Sequence, residues 1–368
     1  MRITRVTLNN FRSYPVAEVE LGDGVNVLTG INAQGKTNLL EAIYLTAVGR
    51  SMRTPRDREL IKWGETRARV RVEAEGVTGN RKVEIVISDK ENKRVAVGGA
   101  QVTRLGELMG VINVVLFSPD ETAIIKNGPS ERRRFADIAI CQISRAYFYL
   151  LSRYNKTLAQ RNKLIKSRAD GDTLDVWDAQ LARAGAKLIR TRRGFFKRIS
   201  PLAAAAHEFL TDGKESLTVE YESVDGETEN ELCEILLDKF RRDRERDLIQ
   251  GFTHSGPQTD DFTAVVGGVD VRKFGSQGQQ RTAALSLKLA QLDLMEEETG
   301  ESPVLLLDDV FSELDPARQK KLIERLSRCQ TVITATHIDP TIEDSFSDST
   351  RFVVTKTENE TTVIKQNG

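Results

Sequence analysis

Ser276-Gln277-Gly278-Gln279-Gln280-Arg281, then a helical run, then Leu305-Leu306-Leu307-Asp308-Asp309 and Ser312-Glu313-Leu314-Asp315, make up the stretch that decides the fold. An apolar strand ending in two carboxylates suits a nucleotide-bound divalent cation. A Ser/Gln/Gly turn opening a helix offers free N–H groups to an anion. About 240 residues upstream, Gly30-Ile31-Asn32-Ala33-Gln34-Gly35-Lys36-Thr37 matches the P-loop pattern G-x-x-x-x-G-K-[ST]. The order of P-loop, long insertion, serine turn and acidic strand predicts one nucleotide-binding domain split in sequence, in an ATPase that works as a dimer.

The context of each motif agrees with that reading. Val25 to Leu28 reads as a buried strand before the P-loop, and Leu39, Leu40, Ile43, Tyr44 and Val48 form the apolar stripe of a helix after it. Backbone N–H groups from Gly30 to Gly35 are expected around phosphate oxygens, with Lys36 on the β/γ-phosphates and the Thr37 hydroxyl on Mg²⁺. Val304 to Leu307 delivers Asp308 to that cation. Asp309 is placed to orient or deprotonate an attacking water, the alternative being a cap on the next turn. Ser276, Gly278 and Gln279 open the helix carrying Ala283, Ala284, Leu287 and Leu294. A serine cap near glycine is common by itself; its place just upstream of the acidic strand marks it as a phosphate element.

Composition excludes several classes. The chain has 368 residues, 39% hydrophobic and 29% charged, in the range of a folded globular protein. No apolar run is long enough for a membrane span, and the start alternates like a strand rather than a signal peptide. Cys141, Cys233 and Cys329 lie far apart, as do His207, His254 and His337, so neither a disulfide framework nor a zinc site is expected. A cytoplasmic location follows as the expectation. Net charge is zero, yet Arg132 to Arg198 holds 17 Lys/Arg against five Asp, leaving 37 basic and 49 acidic residues elsewhere. Arg132, Arg133, Arg134, Arg190, Arg192 and Arg193 are candidate phosphate contacts in that block, with Arg145, Arg153, Lys156, Arg161, Lys163 and Lys166 between them. A solvated charged face is the alternative. Few aromatics interleave, which favours duplex backbone over stacked single strands.

The predicted organisation is α/β. Residues 1–128 and 250–368 form the ATPase lobe, with a mixed or antiparallel N-terminal sheet built from alternating strands such as Ala68-Val70-Val72-Ala74. Residues 129–249 form a basic helical insertion starting at Pro129 with Ser130 as N-cap, and the 276–281 turn returns near it. The chain ends in a hairpin around Glu358-Asn359.

Walker A, an LSGGQ-like signature, Walker B and a D-loop-like Ser312–Asp315 resemble the ABC-type P-loop ATPase heads of SMC and RecF proteins. Asn10-Phe11-Arg12-Ser13-Tyr14, Gly128-Pro129-Ser130-Glu131-Arg132-Arg133-Arg134-Phe135 and Leu305–Asp315 are more specific and resemble the RecF family of recombination mediators, across essentially the whole chain and without a long coiled coil. The resemblance implies ATP and Mg²⁺ as cofactors, Arg12 on the nucleotide, and Ser276 on the γ-phosphate held by the opposite protomer. His337 would be a γ-phosphate switch or merely a structural strand-end histidine. It further implies an ATP-induced homodimer on double-stranded or gapped DNA, slow hydrolysis, and recombinase loading in repair and fork maintenance with RecR, RecO and RecA. Other readings are an ATP-gated DNA clamp with incidental hydrolysis or another SMC-like head; a transporter subunit or nuclease-fused ATPase is disfavoured. Three departures stand out: Asp309 where ABC heads usually carry Glu, no Q-loop glutamine near Leu116–Asp120, and Gly256-Pro257-Gln258-Thr259-Asp260-Asp261 where RecF proteins commonly have Gly-Pro-His-Arg-Asp-Asp.

Overall fold

Period-two patterning builds the N-terminal sheet. In β1 (Arg2–Phe11) Ile3, Val6, Leu8 and Phe11 are buried. The chain continues through β2 (Tyr14–Glu20), β3 (Val25–Thr29), α1 (Lys36–Val48), β4 (Arg67–Gly76), β5 (Gly79–Ser88), β6 (Arg94–Val97), β7 (Ala100–Val102) and β8 (Val114–Phe117). The computed structural model describes residues 1–326, 328–336, 344–357 and 360–366. β4 buries Ala68, Val70, Val72 and Ala74 and turns Arg69 and Arg71 outward, where they donate to Glu84 on β5 at 2.6 and 2.9 Å. The antiparallel order is β2-β1-β4-β5-β6-β7, a sheet with one wet face.

The middle of the chain folds as α2 (Ala123–Lys126), α3 (Pro129–Ile143), α4 (Arg145–Lys166), α5 (Gly171–Thr211), β9 (Leu217–Glu222), α6 (Glu229–Arg242), α7 (Arg244–Gln250), β10 (Asp261–Val266), β11 (Val269–Asp270), α8 (Val271–Phe274) and α9 (Gln277–Thr299). Pro129 occupies the first position of α3 and Gly128 the cap, two residues earlier than the Ser130 cap expected, because a fixed φ and missing N–H suit the first helical residue. α5 runs 41 residues, but it packs against α4, α6 and β9 rather than projecting as a coiled coil. Phe196 stacks on Tyr221 at 4.8 Å and meets Phe262 at 5.0 Å, which fastens α5 to β9 and β10.

The chain returns with β12 (Val304–Asp308), α10 (Pro316–Leu326), β13 (Thr331–Ala335), β14 (Thr350–Lys356) and β15 (Thr361–Lys365). These complete a second sheet in the order β15-β14-β3-β13-β12-β8, parallel except for the β14–β15 hairpin. The hairpin is as expected, and its turn residues Glu358 and Asn359 lie outside the described residues. β12 and β13 are buried along their whole length, as a strand covered on both faces must be.

The two compact units are Met1–Glu121 with Lys288–Gly368, and Thr122–Leu287. The sequence pattern puts the end of the insertion at 249. It extends further because β10 zips antiparallel onto β9, Asp261 opposite Glu222, so residues 250–287 stay with it. The Ser276 turn and the first part of α9 therefore belong to the second unit.

Candidate nucleotide site

In the first unit, Asp308 pairs with Thr334 across β12 and β13, and Thr334 pairs with Leu28 of β3. That register gathers the carboxyl ends of three parallel strands, where α/β sheets bind ligands. The loop after β3 depends on its glycines. Gly30 has φ +148° and lies so close to the Val354 carbonyl that a Cβ would collide. Gly35, at φ +109°, faces the Ser13 hydroxyl and accepts a bond from Tyr14 Oη at 3.0 Å. Ile31, Asn32 and Ala33 are exposed on the loop. Thr336 donates to Asn32 Oδ1 at 3.0 Å and Gln34 accepts from the Lys356 backbone, so both ends of the loop are tied to neighbouring strands.

Lys36 donates from Nζ to the carbonyls of Gly30 and Ile31. Burial lowers its pKa, and the charges of Asp309 and Asp308 oppose that. The Thr37 hydroxyl donates to Asp308 Oδ1 at 2.8 Å, and the Thr334 hydroxyl donates to the same oxygen at 2.7 Å. Three hard oxygens in one cluster fit a small divalent cation such as Mg²⁺. Asp309 has φ +51°, a left-handed backbone uncommon outside glycine, asparagine and aspartate. Its N–H reaches both the carbonyl and the hydroxyl of Thr334 at 3.1 Å, and Ser312 Oγ donates to its carbonyl at 2.7 Å. Burial first, then the charge of Asp308, raise its carboxyl pKa. A strained, partly desolvated carboxylate beside a cation site is a proton acceptor in chemical terms.

Two residues in this cluster escape sequence reading. Thr334 lies within β13, but its place at the site depends on register with Asp308. Glu41, fully buried on α1, accepts both Arg12 Nε and Nη2 at 2.8 Å, while Arg12 Nη1 donates to the Glu59 carbonyl at 2.8 Å. Arg12, at φ +54°, is thus held rigidly against the P-loop helix. A charged residue on the apolar stripe, at Glu41, is the signal that could have found it. His337 lies outside the described residues.

In the second unit, Ser276 N donates to Gln279 Oε1 at 3.0 Å and Gln279 N donates to Ser276 Oγ at 3.2 Å, a reciprocal cap. Gly278 leaves the turn open on its outer side, with Ser276 Oγ the nearest atom to a built Cβ, at 3.8 Å.

The basic candidates divide sharply. Arg132, 2% exposed, forms a bidentate pair with Asp261 at 2.5 and 2.8 Å. Arg192, 3% exposed, binds Asp137, Tyr147 and the Pro257 carbonyl. Arg193 closes on Ser223 and the carbonyls of Val224 and Gly226, and Arg133 donates to the Asp260 carbonyl at 2.7 Å. The phosphate role expected for Arg132 and Arg192 is therefore corrected: these guanidiniums hold the second unit together. Arg161 is likewise buried, between Asp178 and Asp247. Arg134 and Arg190 remain exposed, with carboxylates no closer than 3.8 Å. Gln258 accepts from Tyr154 Oη and donates to the Ser255 carbonyl, so the Gly256–Asp261 segment is tied internally.

P-loop, acidic strand and mixed sheet together define an ABC-type ATPase head. The RecF/RecN/SMC N-terminal domain family matches residues 2–363. RecF from Lachnoclostridium phytofermentans, a DNA replication and repair protein, is 44% identical over 343 residues, covering 92% of this chain and 94% of that protein. The Alkaliphilus oremlandii RecF is 43% identical over 361 residues, covering 97% and 99%. A solved structure of the recombination mediator RecF with ATP superposes with a TM-score of 0.90 at 36% identity, covering 100% of this chain and 98% of that one. A Pyrococcus furiosus Smc head, at 16% identity and TM-score 0.59, shares the fold. The chain belongs to the RecF family.

Proposed function

We propose that this chain is an ATP-dependent DNA-binding protein of recombinational repair and fork maintenance, which dimerises on double-stranded or gapped DNA when ATP is bound. The observation that carries this reading is Asp308 Oδ1, shared by the hydroxyls of Thr37 and Thr334 beside the raised carboxyl of Asp309. Backbone N–H groups of Gly30 to Gly35 and the ammonium of Lys36 take the phosphates. Thr37 and Asp308 would hold Mg²⁺, which supplies charge neutralisation at the β- and γ-phosphates. Asp309 accepts a proton from water, and Arg12 lends positive charge from its Glu41 clamp. Ser276, on the second unit, serves the γ-phosphate of the neighbouring protomer, so that nucleotide is buried between two chains.

Slow hydrolysis agrees with an aspartate at 309, whose carboxylate reaches less far than glutamate. The same residue supports a second reading, an ATP-gated DNA clamp in which hydrolysis is incidental. For DNA, the exposed stripe Arg153, Lys156, Lys163 and Lys166 on α4 lies on one helical face and suits a phosphate backbone. RecR, RecO and RecA as partners, and a cytoplasmic location, come with the RecF reading; among the described residues no helix is long and apolar enough to cross a membrane. Light scattering of wild type with and without ATP and a duplex tests the whole. A monomer under saturating ATP and DNA, in both wild type and Asp309→Asn, overturns it.

A further inference from the structure

Gln279 caps the Ser276 turn with an amide that could equally face either way. Its Oε1 accepts the Ser276 N–H at 3.0 Å, and its Nε2 donates at 2.8 Å to Glu215 Oε1, 64 residues earlier in the chain. A flipped amide would set an oxygen against that carboxylate and an NH₂ against the Ser276 N–H. Glu215 therefore selects the one orientation that closes the cap. With the cap closed, Ser276 Oγ accepts from Gln279 N and donates no hydrogen bond of its own among the described residues. The hydroxyl proton is what a phosphate oxygen would take.

Glu215 has a buried anchor. His207, near the end of α5, is fully buried, and its Nδ1 lies 3.0 Å from Ser286 Oγ. Ser286 Oγ donates its only proton to the Thr282 carbonyl at 2.7 Å, so it must accept from His207, and Nδ1 must carry a hydrogen. The other ring nitrogen, Nε2, faces Glu215 Oε2 at 3.5 Å. That separation is a contact between the buried ring and the carboxylate rather than a hydrogen bond. Thr211 Oγ1, one turn beyond His207, bonds the His207 carbonyl at 2.8 Å and the Glu215 carbonyl at 3.4 Å. Gln279 and Ser286 are seven residues apart, two turns along one face of α9. The end of α5 and the loop after it thus hold the first part of α9 at two points, His207 on Ser286 and Glu215 on Gln279.

We propose that Glu215, anchored by His207, is a positioning residue for the Ser276 turn, orienting the Gln279 amide so that the serine hydroxyl is free to meet a phosphate. The inference rests on the reading that Ser276 serves the partner's nucleotide. Glu215 itself touches no phosphate.

The test uses the full chain with Glu215→Ala, Glu215→Gln and Ser276→Arg. Dimerisation is followed by sedimentation against ATP concentration, and monomer binding by a fluorescent ATP analogue. Glu215→Ala should raise the ATP concentration for half-dimerisation about tenfold, the scale of one charge-assisted hydrogen bond. ATP affinity of the monomer should not change. Glu215→Gln keeps an acceptor oxygen for Gln279 but loses the charge, and should raise that concentration by clearly less than Glu215→Ala, about threefold. Wild-type dimerisation by Glu215→Ala, with Ser276→Arg monomeric, overturns the positioning role and leaves the Ser276 reading intact. Equal loss in Glu215→Ala and Glu215→Gln also overturns it, since a general structural role would give that result. Normal dimerisation by Ser276→Arg overturns the underlying reading itself.

Discussion

Thr334 faces Asp308 across two parallel strands, and its hydroxyl donates to Asp308 Oδ1 at 2.7 Å while also accepting the Asp309 N–H at 3.1 Å. One side chain thereby orients the proposed cation ligand and pins the left-handed residue after it. Thr334→Val keeps the shape and removes both bonds. Leaving a buried acceptor short of a partner costs about 1–3 kcal/mol. Mg²⁺-dependent ATP turnover is expected to fall roughly tenfold or more while nucleotide affinity changes little. Steady-state hydrolysis alongside equilibrium nucleotide binding checks it, and an unchanged turnover number would leave Thr334 a packing residue.

Asp309→Asn and Lys36→Arg separate the hydrolytic step from the binding step. Asparagine tolerates φ +51° about as well as aspartate, so the backbone should hold, but it accepts no proton from water. The expected result is an ATP-bound dimer that persists on duplex DNA. Arginine at 36 is too bulky for an ammonium that is buried over the Gly30 and Ile31 carbonyls, and should weaken the ATP-dependent step itself. Gel filtration after ATP loading distinguishes the two. A monomeric Asp309→Asn protein sinks the sandwich.

Arg192 and Arg153 both count as positive charges in the sequence, and they should behave oppositely. Arg192→Glu places a carboxylate beside Asp137 and Asp260 in a buried site, and should cost about 3–5 kcal/mol of stability. Arg153→Glu with Lys156→Glu should leave the melting temperature in place, weaken duplex binding and reduce the salt slope by about one for each phosphate no longer neutralised. Thermal melts with a salt titration of binding measure both. Unaltered DNA affinity in the α4 variant would return that stripe to an ordinary solvated face.

That contrast also explains what was legible in the sequence. The placement of Lys36, Thr37 and Asp308 at the ends of neighbouring strands was readable because each position follows from local order along the chain: strand, glycine turn, helix, or strand and carboxylate. Thr334 and Glu41 were not, since their roles come from register between strands and from Arg12 folding back onto α1. Arg132 and Arg192 misled because charge was counted without direction. Arg190 and Arg192 are two residues apart on α5, so one faces solvent while the other faces Asp137. The boundary at 249 failed similarly, because the β9–β10 pairing joins segments about 40 residues apart.

Glu84 supplies a pH test of the N-terminal sheet that is independent of nucleotide. Burial alone would raise its carboxyl pKa, but hydrogen bonds and charge from Arg69 and Arg71 outweigh that and hold it below the ordinary glutamate value. The sign follows from linkage: a carboxyl depressed in the folded state adds stability that is complete above its unfolded value and is lost as pH falls through its folded one. Glu84→Gln removes the charge at every pH. The variant should therefore melt below wild type at neutral pH, with the gap closing as pH falls below the ordinary glutamate range and through the depressed folded value. Urea or thermal melts of both proteins across that range decide it; a gap that stays constant with pH would mean that the arginines hold Glu84 through geometry rather than charge.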